Sequence, residues 1–102
     1  MHSSATELFF ELIFTKIDDT TYRFEGKTAL MDVFKILNID GKEFEEIKGD
    51  AESLGGFLVE NAGRILKNNE SFIVGEYKLI VEASDKRRIK MVRIVLPNPI
   101  EE

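Results

Sequence analysis

The run Lys86-Arg87-Arg88-Ile89-Lys90-Met91-Val92-Arg93 crowds five cations into eight residues. Guanidinium and ammonium groups at that density suit an anionic ligand, an acidic protein surface or lipid headgroups. Arg87, Arg88, Lys90 and Arg93 are therefore the candidate interaction face. Nucleic acid fits less well. No exposed aromatic side chain interleaves with these cations to stack on bases, and the whole chain carries a formal net charge of −5. Acidic residues gather in a different stretch, at Asp40, Glu43, Glu45, Glu46, Asp50 and Glu52. The commoner meaning of either cluster is a solvated face.

Catalytic and cofactor patterns fare worse. "EGKT", Glu25 to Thr28, ends like a phosphate-binding loop. Such a loop needs a glycine five residues before Gly26, and Thr21 stands there. Gly55-Gly56 and Gly63 do not make the G-x-G-x-x-G dinucleotide pattern, and no strand feeds directly into them. His2 is the single histidine, within what reads as a tag, so a histidine base or ligand set is missing. Paired carboxylates (Asp18-Asp19, Glu45-Glu46) lie in turn-rich, polar surroundings rather than in the contrasting environments that acid/base catalysis needs. The acidic stretch from Asp40 to Glu52 leaves room for a weak divalent-cation site. There is no cysteine, hence no disulfide or thiolate site. No catalytic, cofactor or metal residue is assigned.

The elements that must position the basic run follow from periodicity. The chain has 102 residues and 43% hydrophobic content, with eight phenylalanines, which suits one small domain. Residues 1–14 read as a tag, linker or N-terminal arm, residues 15–97 as the domain, and 98–102 as a tail. Leu8 to Phe14 is too short an apolar run to span a bilayer. The arm turns into a strand near Thr15. Thr21 to Glu25 alternates, with Tyr22 and Phe24 on one side, as a half-buried strand does. Leu30, Phe34 and Leu37 recur at helical spacing, widened by Met31 and Val33, with Thr28 as the expected N-cap. Phe44 and Ile47 should anchor the acidic connection. Asp50 is the N-cap candidate for a second helix with Leu54, Phe57, Leu58 and Ala62 buried. Gly63 sits where a left-handed cap belongs. Ser71–Val74 and Tyr77–Ala83 make a hairpin across Gly75-Glu76.

The final strand, Arg87 to Leu96, has a register conflict. Arg88 and Lys90 share a face with Val92, Ile94 and Leu96, whereas Arg93 shares the face of Ile89 and Met91. A β-bulge near Met91–Arg93 reconciles the two, or else the far half of the strand is covered on both sides. The predicted order is β-α-α-β-β-β with an N-terminal arm. It forms an α+β fold, a mostly antiparallel sheet with two helices packed on one face. In that setting Gly55 and Gly56, inside the second helix, are packing glycines that allow close backbone approach.

"YRFEGKTALMDVFKIL", "ESLGGFLVENAGRI", "VGEYKLIVEAS" and "DKRRIKMVRI" together resemble the CorC/HlyC transporter-associated domain, in order and spacing, over roughly Thr20 to Leu96. The leucine–glycine–glycine helix and the "RRIKMVRI" strand are the most specific parts. Leu66 departs from the proline that often follows glycine–arginine–isoleucine. The resemblance implies a cytoplasmic C-terminal domain that follows a membrane domain and a pair of CBS domains. Magnesium and cobalt efflux, haemolysin-like and gliding-motility-associated proteins are its usual settings. It also implies an α+β fold similar to part of certain FAD-binding oxidases, although flavin binding does not carry over because half of that site is missing.

Two functions compete. The first is a non-enzymatic regulatory domain of a CBS-containing membrane transporter at the cytoplasmic face, docking on the CBS and membrane domains of its own longer chain or on a second copy. The second is a sensor in which the basic strand binds a nucleotide or other small anion. A stand-alone enzyme comes third, for want of a catalytic constellation. Nucleic-acid binding and direct membrane insertion are not expected.

Overall fold

A computed structural model describes residues 14–99; the apolar segment Leu8 to Ile13 and the tag reading lie outside them. β1 (Phe14–Asp18) and β2 (Thr21–Glu25) form a tight antiparallel pair. Asp18 closes the turn, its carboxylate accepting the Thr20 N–H at 2.9 Å. Three helices follow: α1 (Leu30–Leu37), α2 (Lys42–Ile47) and α3 (Leu54–Ala62). Then come β3 (Ser71–Val74), β4 (Tyr77–Ser84) and β5 (Ile89–Val95). The five strands make one antiparallel sheet in the order β1-β2-β5-β4-β3. The expected α+β architecture is therefore present, with the arm's strand paired at one edge and one more helix than the periodicity gives.

The register explains where the core sits. Phe24, Val92 and Val81 lie opposite one another across β2, β5 and β4, as do Tyr22, Ile94 and Leu79. All six are buried. Residues directly opposite in antiparallel strands share a face, so these rows define the covered side. Leu30, Val33, Phe34 and Leu37 of α1 and Leu54, Phe57 and Leu58 of α3 close over it. Phe44 of α2 fills the gap between layers, its ring 5.4 Å from Phe34, 5.2 Å from Phe57 and 5.6 Å from Tyr77. The other sheet face is lined by half-buried Arg23, Ile80, Glu82, Met91, Arg93 and Val95.

Several local expectations change. Ala29 is the N-cap of α1 and has no side-chain cap bond. Thr28 instead gives its carbonyl to the Leu54 N–H at 2.9 Å, while the Leu30 N–H reaches the Glu52 carbonyl at 2.9 Å. The starts of α1 and α3 are thus tied backbone to backbone, and a Thr28 cap is not needed. The same tie keeps residues 51–53 extended, so Ser53 rather than Asp50 caps α3, its hydroxyl accepting the Gly56 N–H at 3.1 Å. Met31 is 61% exposed and stands outside the α1 stripe. Ile47 stays at the rim because the six-residue α2 turns only Phe44 inward.

The register conflict in β5 is resolved by paired irregularities. Val81 faces Val92, but Ala83 faces Met91 and Ser84 faces Ile89. β4 gains a residue at Glu82, and β5 gains one at Lys90. The change of phase falls just before the Met91–Arg93 position read from the sequence. It lets Ile89 and Val92 both be buried while Lys90 stays exposed.

Candidate functional site: a basic groove over a glycine junction

Three backbone segments meet behind the basic turn. The Gly26 N–H donates to the Lys90 carbonyl at 2.7 Å, and the Gly55 N–H donates to the Gly26 carbonyl at 2.7 Å. A Cβ on Gly26 would stand 1.9 Å from the Ile89 carbonyl oxygen, which no side chain can do. A Cβ on Gly55 would meet the carbonyl oxygens of Gly26 and Ile89, each at 3.1 Å. The two glycines let the end of β2, the start of α3 and the start of β5 touch through main chain alone. Gly56 differs: its nearest neighbour would be the capping Ser53 hydroxyl, at 3.0 Å. Gly63 ends α3 at φ 75°, its N–H bonded to the Val59 carbonyl.

An open groove of about 720 Å³ runs over this junction. Gly55, Gly56 and Val59 of α3 face it, with Arg87, Arg88 and Lys90 from the β4–β5 turn and β5. Glu25 and Lys27 stand at the end of β2. The candidate interaction face and the paired glycines, separate in sequence, thus share one concavity. Arg93 does not join them. It lies on the sheet face opposite the helices, where its Nε lies 2.9 Å from Glu82 Oε2, off the line of a hydrogen bond. Glu82 also accepts from Arg23 Nε at 2.6 Å. One carboxylate therefore separates two arginines that sit directly opposite in the register.

The turn that carries Arg87 and Arg88 is fixed by Asp85. Its carboxylate accepts the Arg87 N–H at 2.8 Å and the Arg88 N–H at 2.9 Å, and its own N–H donates to the Arg88 carbonyl at 2.9 Å. Those two backbone bonds, helped by the charges of Lys90 and Arg88, hold the Asp85 carboxyl below its usual range. Lys90 lies 3.7 Å from Asp85, and Lys27 lies 3.4 Å from Glu25. Among the described residues, neither the Arg87 nor the Arg88 guanidinium has a carboxylate within ion-pairing distance.

The backbone donors at the start of α3, beside the groove, are already used. The Leu54 and Gly55 amides bond to the carbonyls of Thr28 and Gly26, and the Gly56 amide bonds to the Ser53 hydroxyl. Ser53 is the one hydroxyl residue lining the groove, and its oxygen serves as a helix cap. Among the described residues, no three carboxylates of the acidic stretch gather as a metal-holding group.

Sequence reasoning meets Gly26 in a failed phosphate-loop pattern and in the Gly26-Lys27-Thr28 stop that ends the strand, but does not read its close backbone approach. The readable signal is a glycine closing a half-buried strand, a usual mark of close backbone approach. The groove itself is invisible in sequence because it needs contact between segments far apart in the chain.

The fold defines an α+β module, an antiparallel sheet covered by helices. A family model described as CorC_HlyC, transporter associated domain, matches residues 15–98. The chain belongs to that family. Similar solved structures include the transporter associated domain of a CBS domain protein from Porphyromonas gingivalis, with 30% identity and TM-score 0.73. That match covers 86% of this chain and 98% of the other. A hemolysin domain from Enterococcus faecalis V583 is 23% identical with TM-score 0.68, covering 82% and 96%. A putative Mg2+ and Co2+ transporter (CorC) associated region from Neisseria meningitidis MC58 is 16% identical with TM-score 0.67, covering 81% and 96%. At these lower identities the likeness is one of fold. No curated protein matches the chain. Among the described residues, no helix is long and apolar enough to cross a membrane.

Proposed function

We propose that this domain is a non-enzymatic accessory module of a longer, CBS-containing membrane transporter. It modulates ion transport of the magnesium and cobalt type from the cytoplasmic face. It does so by docking its basic groove on a neighbouring domain of the same chain or on a second copy. The observation that carries this reading is the pinned turn. Asp85 spends its hydrogen bonds on the backbone of Arg87 and Arg88, and among the described residues neither guanidinium has a carboxylate within ion-pairing distance. Two cations held side by side on one turn without an ion pair suit an acidic partner surface.

The family supports the setting, as does the Porphyromonas gingivalis relative, which comes from a CBS domain protein. The groove supports the docking half: its lining offers four cations, one carboxylate and apolar surface. The test is transport by the full-length protein carrying Arg88→Glu and Lys90→Glu. Altered ion flux is expected, with the 102-residue chain still folded. Unchanged flux would remove this surface from regulation.

A further inference from the structure

We infer that the groove receives an acidic peptide segment bearing an apolar side chain, a conclusion that rests on the docking role proposed above and names the chemistry of its partner. Charge comes first. Four cationic side chains line the groove (Lys27, Arg87, Arg88 and Lys90) against one carboxylate, Glu25, on a protein whose net charge is −5. Lys27 is engaged by Glu25, and Lys90 by Asp85. The two arginines remain, and a planar guanidinium matches a carboxylate with two parallel bonds.

A second observation separates a peptide from a small phosphate. Phosphate sites at glycine-rich helix starts depend on unspent backbone N–H groups. Here the amides of Leu54, Gly55 and Gly56 are bonded within the protein, as is that of Gly26. The helix start therefore offers an anion no free amide, and recognition there falls to the side chains. Besides the cations, the lining supplies half-buried Val59, Ala83 and Met91, beside the bare Cα of Gly56. Apolar surface of this kind does nothing for an inorganic anion. It accepts a leucine-sized side chain between flanking carboxylates.

The experiment titrates the isotope-labelled 102-residue chain with a capped pentapeptide of pattern Glu-Glu-Leu-Glu-Glu, read by amide NMR. Saturable shifts are expected at Gly55, Gly56 and Arg87 to Met91. The double variant Arg87→Glu with Arg88→Glu should bind about tenfold more weakly or worse while keeping native peak dispersion. Replacing the central leucine of the probe by alanine should weaken binding too, and the all-lysine counterpart should leave the spectrum unmoved. The inference is overturned if the acidic peptide moves none of these amides. It is equally overturned if inorganic phosphate or phosphatidylglycerol vesicles move them as strongly as the peptide does. The outcome is independent of flux. Peptide binding with unaltered transport would sink the regulatory role alone, and altered transport without peptide binding would sink the peptide alone.

Discussion

Arg93 lies on the sheet face opposite the helices, where Glu82 receives it at 2.9 Å and Arg23 at 2.6 Å. Arg88, earlier in the same basic run, lies on a turn where the Asp85 carboxylate is occupied by backbone N–H groups. The two residues are chemically alike and their settings are opposed. The irregularities at Glu82 and Lys90 divide them: past that point the register brings Arg93 beside Glu82 on the next strand. Before it, the chain leaves the sheet and the cations lose their fixed neighbours. An arginine serves the fold where register supplies its partner. It is available to another molecule where the backbone is rigid and the head group is unmatched.

The most damaging way to break the comparison is to remove the junction that holds the register. Gly26→Ala places a methyl 1.9 Å from the Ile89 carbonyl oxygen, a backbone atom that cannot rotate away. Strand β2 must separate from β5, losing the Gly26–Lys90 bond and pressing on α3. A cost of about 3 kcal/mol is expected from overpacking of this kind, or a melting temperature lowered by about 15 °C for a domain of this size. Thermal unfolding followed by circular dichroism reads it, and a melting temperature within a few degrees of the parent would mean that the junction is looser than its distances. Gly55→Val should be damaging for the same reason, since its branches would be driven toward two carbonyl oxygens.

Next in size is the loss of the shared carboxylate. Glu82→Ala leaves Arg23 and Arg93 opposite each other with nothing between them. Both arginine side chains are more than a third exposed, so solvent screens their repulsion. About 1 kcal/mol of destabilisation is expected, the upper end for exposed pairs because two cations share one anion. Denaturant unfolding at low and high salt sharpens the attribution: an electrostatic loss shrinks as salt rises. An effect indifferent to salt would instead mean that the Glu82 methylenes pack the bulge.

These contrasts also show how far the sequence could be read. Period-two alternation in Tyr22–Phe24 and Leu79–Val81, and helical spacing in Leu30–Phe34–Leu37, report burial directly, so the sheet and two helices were legible. Helix α2 was not, because six residues with one buried side chain carry no periodicity. The caps at Ala29 and Ser53 were missed because a backbone tie between distant segments replaced the local chemistry of Thr28 and Asp50. The conflict between Arg88, Lys90 and Arg93 was visible as a need for a bulge. Which arginine would find a carboxylate was not, since Glu82 and Arg23 meet Arg93 only through strand order. The groove depends on Gly26, whose constraint lies in a contact with residues more than sixty positions away.

A third pairing tests whether fixed counter-charge behaves alike elsewhere. Arg64 grips Glu70 through two bonds, at 2.8 and 2.7 Å, and the Lys67 N–H adds a third at 2.6 Å. The Arg64 bonds first, then the Lys67 N–H, lower the Glu70 carboxyl from its ordinary 4.5 to about 2. A carboxyl depressed on folding stabilises above its unfolded value. That contribution is lost as pH falls through the window from 4.5 to about 2. Glu70→Gln should therefore lower the melting temperature near neutrality and converge with the parent toward pH 2. Parallel curves across that window would mean that the clasp holds by shape and not by charge.

The smallest effect is the most informative. Arg88→Glu on the turn and Arg93→Glu on the sheet make the same chemical change at two places in one run. The Arg93 variant sets a carboxylate against Glu82 and should cost about 1 kcal/mol, as loss of that network does. In the Arg88 variant no ion pair is lost. Asp85 bonds the Arg88 backbone, which the substitution keeps, and its weak attraction to the side chain becomes a weak repulsion that solvent screens. Its stability should stay within about 0.5 kcal/mol of the parent, as for surface changes without a partner. Side-by-side urea titrations measure the difference. Equal losses would mean that the Arg88 guanidinium is committed to the fold after all, and the case for an external partner would rest on Arg87 alone. Unequal losses leave Arg88 as a charge that the domain holds in place without using.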